Sequence, residues 1–158
     1  MNLDTLRQQP GVATQPPAET TGFALDPTVL RVKGIAASRD FCPRVLGFRL
    51  VARRDFPEAE FSLYFLAYVP EGTQVPKDDA QRRLWMAGIP GVLELTHNHG
   101  TETQNGPLYH DGNSEPRGFG HICVSVPDVD AACARFEELG AEFVKRPNDG
   151  AMKGIAFL

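Results

Sequence analysis

Two residues stand out as chemistry-bearing within otherwise apolar runs: Glu94 in the segment Gly91 to Asn98, and His121 in the segment His121 to Val126. In an extended chain successive side chains alternate between faces. Val92, Glu94 and Thr96 therefore share one face of the first segment, and Leu93, Leu95 and His97 the other. In the second, His121, Cys123 and Ser125 oppose Ile122, Val124 and Val126. A carboxylate and an imidazole at such positions both offer lone pairs to a Zn²⁺ or Ni²⁺ ion. Spacing equally allows the plainer arrangement in which Glu94 pairs with an arginine and His121 is a satisfied core histidine. His97-x-His99 is a competing metal pattern, but it leaves the strand at Asn98. Arg31, Arg117 and the pair Lys145-Arg146 are the candidate anion-binding groups, or else solvated surface charge.

The elements that must hold these residues follow from periodicity. Residues 1–21 are rich in Pro, Thr, Gln and Ala and are expected to form a flexible arm, because they bury too little to offset the entropy of ordering. A single domain over residues 22–158 follows. Val29 to Val32 reads as a strand, Ser38 to Leu46 as a helix ended by Gly47, and Phe48 to Arg53 as a second strand. Pro43 disfavours a helix interior, so a late start or a kink is expected there. Phe61 to Tyr68 is a buried strand, Gln81 to Ala87 a helical turn, and Gly91 to Asn98 a further strand. Together they make a βαβββ module over residues 22–98.

A polar connection over residues 99–118 leads to a restart. His121 to Val126 reads as a strand. Asp128 is an N-cap, and Val129, Ala132, Cys133, Phe136 and Leu139 line one helical face before Gly140. Phe143 to Lys145 and Met152 to Leu158 read as strands. Leu46-Gly47 superimposes on Leu139-Gly140 at an offset of 93 residues, which predicts a second, related module over residues 119–158. The fold class expected is α+β with paired βαβββ modules, the second incomplete.

Composition narrows the partners. A net charge of -4 and a pI near 5.5 argue against nucleic acid or an anionic membrane surface, leaving a small soluble ligand. Cys42, Cys123 and Cys133 lack C-x-x-C spacing and lie in or beside apolar runs, as reduced buried thiols do. With no basic-then-apolar leader and no run of about 18 apolar residues, a cytoplasmic location is expected.

Several blocks are similar to the glyoxalase I (lactoylglutathione lyase) family. They are Leu30-Arg31-Val32-Lys33, Arg44-Val45-Leu46-Gly47, Asp55-Phe56-Pro57, Phe61 through Tyr68, Leu93-Glu94-Leu95-Thr96-His97-Asn98 and Pro116 through Ile122. Arg135 through Gly140 and Met152-Lys153-Gly154 continue the series. The resemblance implies the vicinal-oxygen-chelate fold and isomerisation of the methylglyoxal–glutathione hemithioacetal to S-lactoylglutathione, a methylglyoxal detoxification. It implies a divalent metal, zinc or nickel, that stabilises an enediolate while a glutamate carries the proton. It also implies a homodimer in which Glu94 of one subunit meets His121 of the other. Glu94 matches the family's first ligand glutamate, which is also a catalytic residue, and His121 its ligand histidine. For the glutathione moiety it carries over Arg31, Asn98, Arg117, Lys145 and Met152. Phe56, Leu63 and Phe65 match residues lining the pocket around the substrate's side group.

The chain departs from that pattern at two of four ligand positions. The Gln or His before the family's T-x-L-R-V-K block is Pro27 here, which has no side-chain donor. Asp26 beside it is expected to point to the opposite face by alternation. The second glutamate follows a D-P-D-G-Y-W block, and the sequence ends at Leu158 before that block. A lysine of the family between Gly150 and Met152 is Ala151. A non-catalytic relative that binds glutathione conjugates is the alternative these departures imply.

Overall fold

The protein is described here in a computed structural model that covers residues 2–12, 15 and 17–158. Part of the expected arm, namely Met1, Ala13, Thr14 and Pro16, lies outside the described residues. The rest of the arm is not wholly irregular. Asn2 accepts from the Thr5 backbone N–H and caps a short exposed helix, α1 (Leu3–Arg7).

Strand β1 (Thr28–Val32) leads into helix α2 (Ile35–Phe41). Cys42–Leu46 then continues as a wide π-helical turn and ends at Gly47, whose φ of 83° only glycine adopts without strain. The helix thus begins three residues before the expected Ser38, and Pro43 falls where the α-helix gives way. Proline has no N–H to return to the previous turn, so the backbone widens, and Phe48 N–H bonds back to the Cys42 carbonyl at 3.0 Å.

Strands β2 (Arg49–Phe56) and β3 (Phe61–Ala67) form an antiparallel hairpin with a bulge between Leu50 and Ala52. Helix α3 (Asp79–Ala87) starts where the Asp78 carboxylate accepts from the Gln81 N–H. Strand β4 (Leu93–Asn98) inserts between β1, parallel, and β3, antiparallel. The sheet order is β1-β4-β3-β2. The expected βαβββ module is therefore present.

Each sheet face has its own packing. Tyr64, Leu66, Leu93 and Leu95 point to one side, against Phe48, Cys42 and the helical segment. Phe65, Ala67 and Val92 point to the other, against Met86 and Trp85 of α3. Helix α3 covers one end of this second face only: Val29 is 51% exposed and Arg31 is exposed.

The second half departs from expectation. Helix α4 (Val129–Glu138) forms as read, with Asp128 accepting from the Ala131 N–H, Cys133 buried and Gly140 at φ 79°. The strands expected over 121–126, 143–145 and 152–158 do not form; a single antiparallel bridge, Lys145 to Phe157, stands in their place. A strand exists by its ladder, and among the described residues 121–126 meets no partner edge. His121, Ile122 and Cys123 are accordingly exposed, and Val124 alone packs against the first-half core. The fold is α+β with one four-stranded sheet.

Candidate active site

Ladder register decides which side chains share the half-open face. Across the parallel pair Val29 lies opposite Glu94 and Arg31 opposite Thr96; across the antiparallel pair Phe65 lies opposite Glu94 and Leu63 opposite Thr96. One strand further, Arg54 faces Leu63 and Phe56 faces Phe61, which lies opposite Asn98. The face therefore carries Arg31, Glu94, Asn98, Phe56, Leu63 and Phe65 together. These six are the first-module residues expected at the site.

At one end of the face, Arg31 Nη1 donates to Asn98 Oδ1 at 2.8 Å, which leaves the remaining guanidinium donors for a ligand. In the middle stands Glu94, half-buried between Val29 and Phe65. Burial of its carboxyl among these apolar neighbours pushes its pKa above the ordinary glutamate range, against a long 3.4 Å hydrogen bond from Thr96 and the charge of Arg54. Glu94 forms no ion pair among the described residues, so the pairing that bare spacing allowed is not its role. The Arg54 guanidinium instead lies 5.2 Å from the centre of the Phe65 ring. Phe56 stacks on Phe61 with ring centres 4.6 Å apart.

Beyond Glu94 the face runs into a pocket of about 190 Å³ at the foot of α3, lined in part by Asp26, Pro27, Arg54, Phe65, Arg83 and Val92. Asp26 was expected on the opposite face. It lies here because β1 begins only at Thr28, so strand alternation does not extend back to it. Its Oδ1 is buried without a hydrogen-bond partner among the described residues, and burial raises its pKa against the Val92 backbone N–H. Alternation, applied two residues too far, is what hid Asp26 from the sequence.

The second-half residues do not join this face. Arg117 pairs with Glu115 at 2.9 Å, Lys145 donates to the carbonyls of Arg146 and Ile155, and Met152 is 57% exposed. Arg146, the other half of the basic pair, binds Glu137 at 2.6 Å. His121 meets the Phe157 ring edge-on, with centres 5.7 Å apart. The rival histidines are also engaged. His97 binds Glu102 at 2.9 Å, and His99 meets the Ser62 hydroxyl, which donates to Asp55. No group of three or more His, Cys, Asp or Glu side chains suited to a metal ion forms among the described residues. Among the described residues Glu94 and His121 are two donors, fewer than the three protein ligands usual for a catalytic zinc.

Comparison with known proteins adds to this geometry. Residues 24–158 match the model of the Glyoxalase/Bleomycin resistance protein/Dioxygenase superfamily. The lactoylglutathione lyase of Pseudomonas putida is 58% identical over 158 residues, covering 100% of this chain and 91% of that protein. The Pseudomonas aeruginosa lactoylglutathione lyase is 52% identical over 150 residues, covering 95% and 84% respectively. Among solved structures, the trypanothione-dependent glyoxalase I of Leishmania major superimposes with a TM-score of 0.55 at 27% identity, covering 78% of this chain and 71% of that one. Glyoxalase I from Zea mays shares the fold, with a TM-score of 0.56 at 21% identity over 82% of this chain and 37% of that one. The whole length of the sequence and the half-open sheet face thus agree: the chain belongs to the glyoxalase I family, within the Glyoxalase/Bleomycin resistance protein/Dioxygenase superfamily.

Proposed function

We propose that the protein is a lactoylglutathione lyase that isomerises the hemithioacetal of methylglyoxal and glutathione to S-lactoylglutathione, and that it acts as a cytoplasmic homodimer. The observation that carries this reading is Glu94, a carboxyl with a raised pKa at the centre of an apolar-walled face, with the Arg31–Asn98 pair at one end. A general base works best when its pKa lies nearer the working pH than a free glutamate's does.

In this reading Arg31 and Asn98 hold the carboxylate and amide groups of glutathione, and Phe65 and Leu63 exclude water over the reacting carbons. Glu94 removes the proton from C1, holds it on its carboxyl, and delivers it to C2. The C1 hydroxyl gives up its proton as its oxygen becomes the thioester carbonyl, and the C2 carbonyl oxygen gains one. Atoms balance without an oxidant or reductant. The resemblance assigns a zinc or nickel ion to this chemistry. Among the described residues Glu94 and His121 occupy the family's donor positions and would hold such an ion, which would polarise the substrate oxygens. A homodimer supplies His121 from a second copy.

Formation of S-lactoylglutathione by purified protein, with zinc and with nickel, tests the proposal. Turnover that disappears in Glu94→Gln supports it. Folded protein that binds S-methylglutathione without turnover favours a glutathione-conjugate-binding relative instead, the reading that the donorless Pro27 supports.

A further inference from the structure

The pocket at the foot of α3 carries charges that a methyl substituent does not use. Arg54 and Arg83 both line it, and neither forms an ion pair among the described residues. Asp26 lines it too, with its buried Oδ1 lacking a partner. The lining holds two guanidinium groups and one carboxylate, with Glu94 beyond it close enough to feel the charge of Arg54. The apolar part of the lining includes Phe65, Met86 and Val92.

Position along β4 relates this cavity to the reaction. At about 3.3 Å per residue, Asn98 lies about 13 Å before Glu94, and Val92 lies about 7 Å beyond it. A hemithioacetal anchored at Arg31 and Asn98, with its reacting carbons over Glu94, therefore directs its substituent toward the pocket. A methyl group does not reach the guanidinium groups. A chain of three or four carbons ending in a carboxylate does, and it satisfies the two arginines by charge-assisted hydrogen bonds beside that apolar lining. A hydroxyl on that chain can donate to Asp26 Oδ1.

We infer that Arg54 and Arg83, with Asp26, form a subsite for 2-oxoaldehyde substituents that end in a carboxylate, making such compounds a substrate class of this protein. The inference rests on the glutathione reading proposed above. It differs from the apolar lining expected of Phe56, Leu63 and Phe65, because it adds a charged end wall contributed by β2, α3 and the residues just before β1.

Two stable thioethers, whose first two carbons stand for C1 and C2, test it by calorimetry on the whole protein, without need of turnover: S-(5-carboxypentyl)glutathione and its neutral counterpart S-hexylglutathione. The carboxylate conjugate is expected to bind at least about tenfold more tightly, as one charge-assisted hydrogen bond retained in a half-open cavity provides. Arg83→Gln, an exposed change on α3, is expected to remove that preference while leaving the affinity for S-hexylglutathione and any turnover of methylglyoxal unchanged. Equal binding of the two conjugates, or an equal effect of Arg83→Gln on both, overturns the subsite and leaves the glutathione reading standing. Failure of both conjugates to bind overturns the glutathione reading and the subsite with it.

Discussion

Arg44 and Arg135 exchange hydrogen bonds between two helix ends. Arg44 Nη1 donates to the Leu139 carbonyl at the end of α4 at 2.9 Å, while Arg135 donates to the carbonyls of Val45 at 2.6 Å and of Arg44 at 2.8 Å. Helix ends carry unpaired carbonyls and partial negative charge, so each guanidinium neutralises the other segment's end. This reciprocal clamp ties α4 to the first module, against whose core Val124 of the second half also packs.

Arg135→Ala is therefore expected to lower stability by about 1–3 kcal/mol, since it leaves two carbonyls unpaired. Urea unfolding measures it. Arg135→Lys, with a single donor centre, is expected to recover part of the loss. A change within about 0.5 kcal/mol, the range of an ordinary surface substitution, would remove the clamp from the account.

Glu94 sets stability and activity against each other. Its folded pKa is raised by burial, so relative to the unfolded chain its charged form is disfavoured. Its favourable contribution is complete below the unfolded glutamate value of about 4.3 and is lost as pH rises through the raised folded value. Glu94→Gln is thus expected to raise the melting temperature at neutral pH, with the gain shrinking as pH falls toward that lower limit, while turnover is lost. In the parent protein the acid limb of kcat/KM should lie at higher pH than an unperturbed glutamate gives. Melting curves and rate profiles over the same pH range check both, and a variant that melts lower at neutral pH would contradict the burial argument.

Removing Arg31 tests the anchor. The guanidinium is exposed and already oriented by Asn98, so Arg31→Ala should act on binding held equally in ground and transition states. The expected outcome is a KM for the hemithioacetal raised by about tenfold with kcat little changed, in keeping with loss of a hydrogen bond to a charged group. A fall in kcat at constant KM would place Arg31 in the chemistry instead.

The first module was legible because its strands obey simple rules. Period-two alternation placed Glu94 and Thr96 opposite Leu93 and Leu95, and the ladders keep that division. Gly47 and Gly140 marked both helix ends, since their left-handed backbone is a local property. The second half was legible only in its helix. Residues 121–126 carry a clean alternating pattern, yet a pattern supplies no neighbour, and without a paired edge the segment stays irregular. Asp26 was misplaced for a related reason, because alternation holds only inside a strand. The Arg44–Arg135 clamp left no trace in spacing, since long side chains reaching backbone carbonyls have no periodicity.

Metal affinity should respond to the position that lost its donor. Pro27 lines the pocket beside Val92 and precedes Thr28, whose N–H bonds the Val92 carbonyl at 3.0 Å, so residue 27 sits next to the face that carries Glu94. The resemblance assigns a Gln or His donor there. Pro27→Gln supplies a carbonyl oxygen without charge, and a third donor beside Glu94 and His121 reaches the usual minimum for a catalytic ion. Calorimetric titration of the purified protein with Zn²⁺ and Ni²⁺ is expected to show tighter, stoichiometric binding in Pro27→Gln than in the parent protein. Adding Glu94→Gln to that variant should cancel the gain, because the new donor and Glu94 must hold the same ion. If Pro27→Gln binds metal no better than the parent, residue 27 does not face the ion, and the parent's donors are to be sought elsewhere, with Asp26 the nearest carboxylate in the pocket.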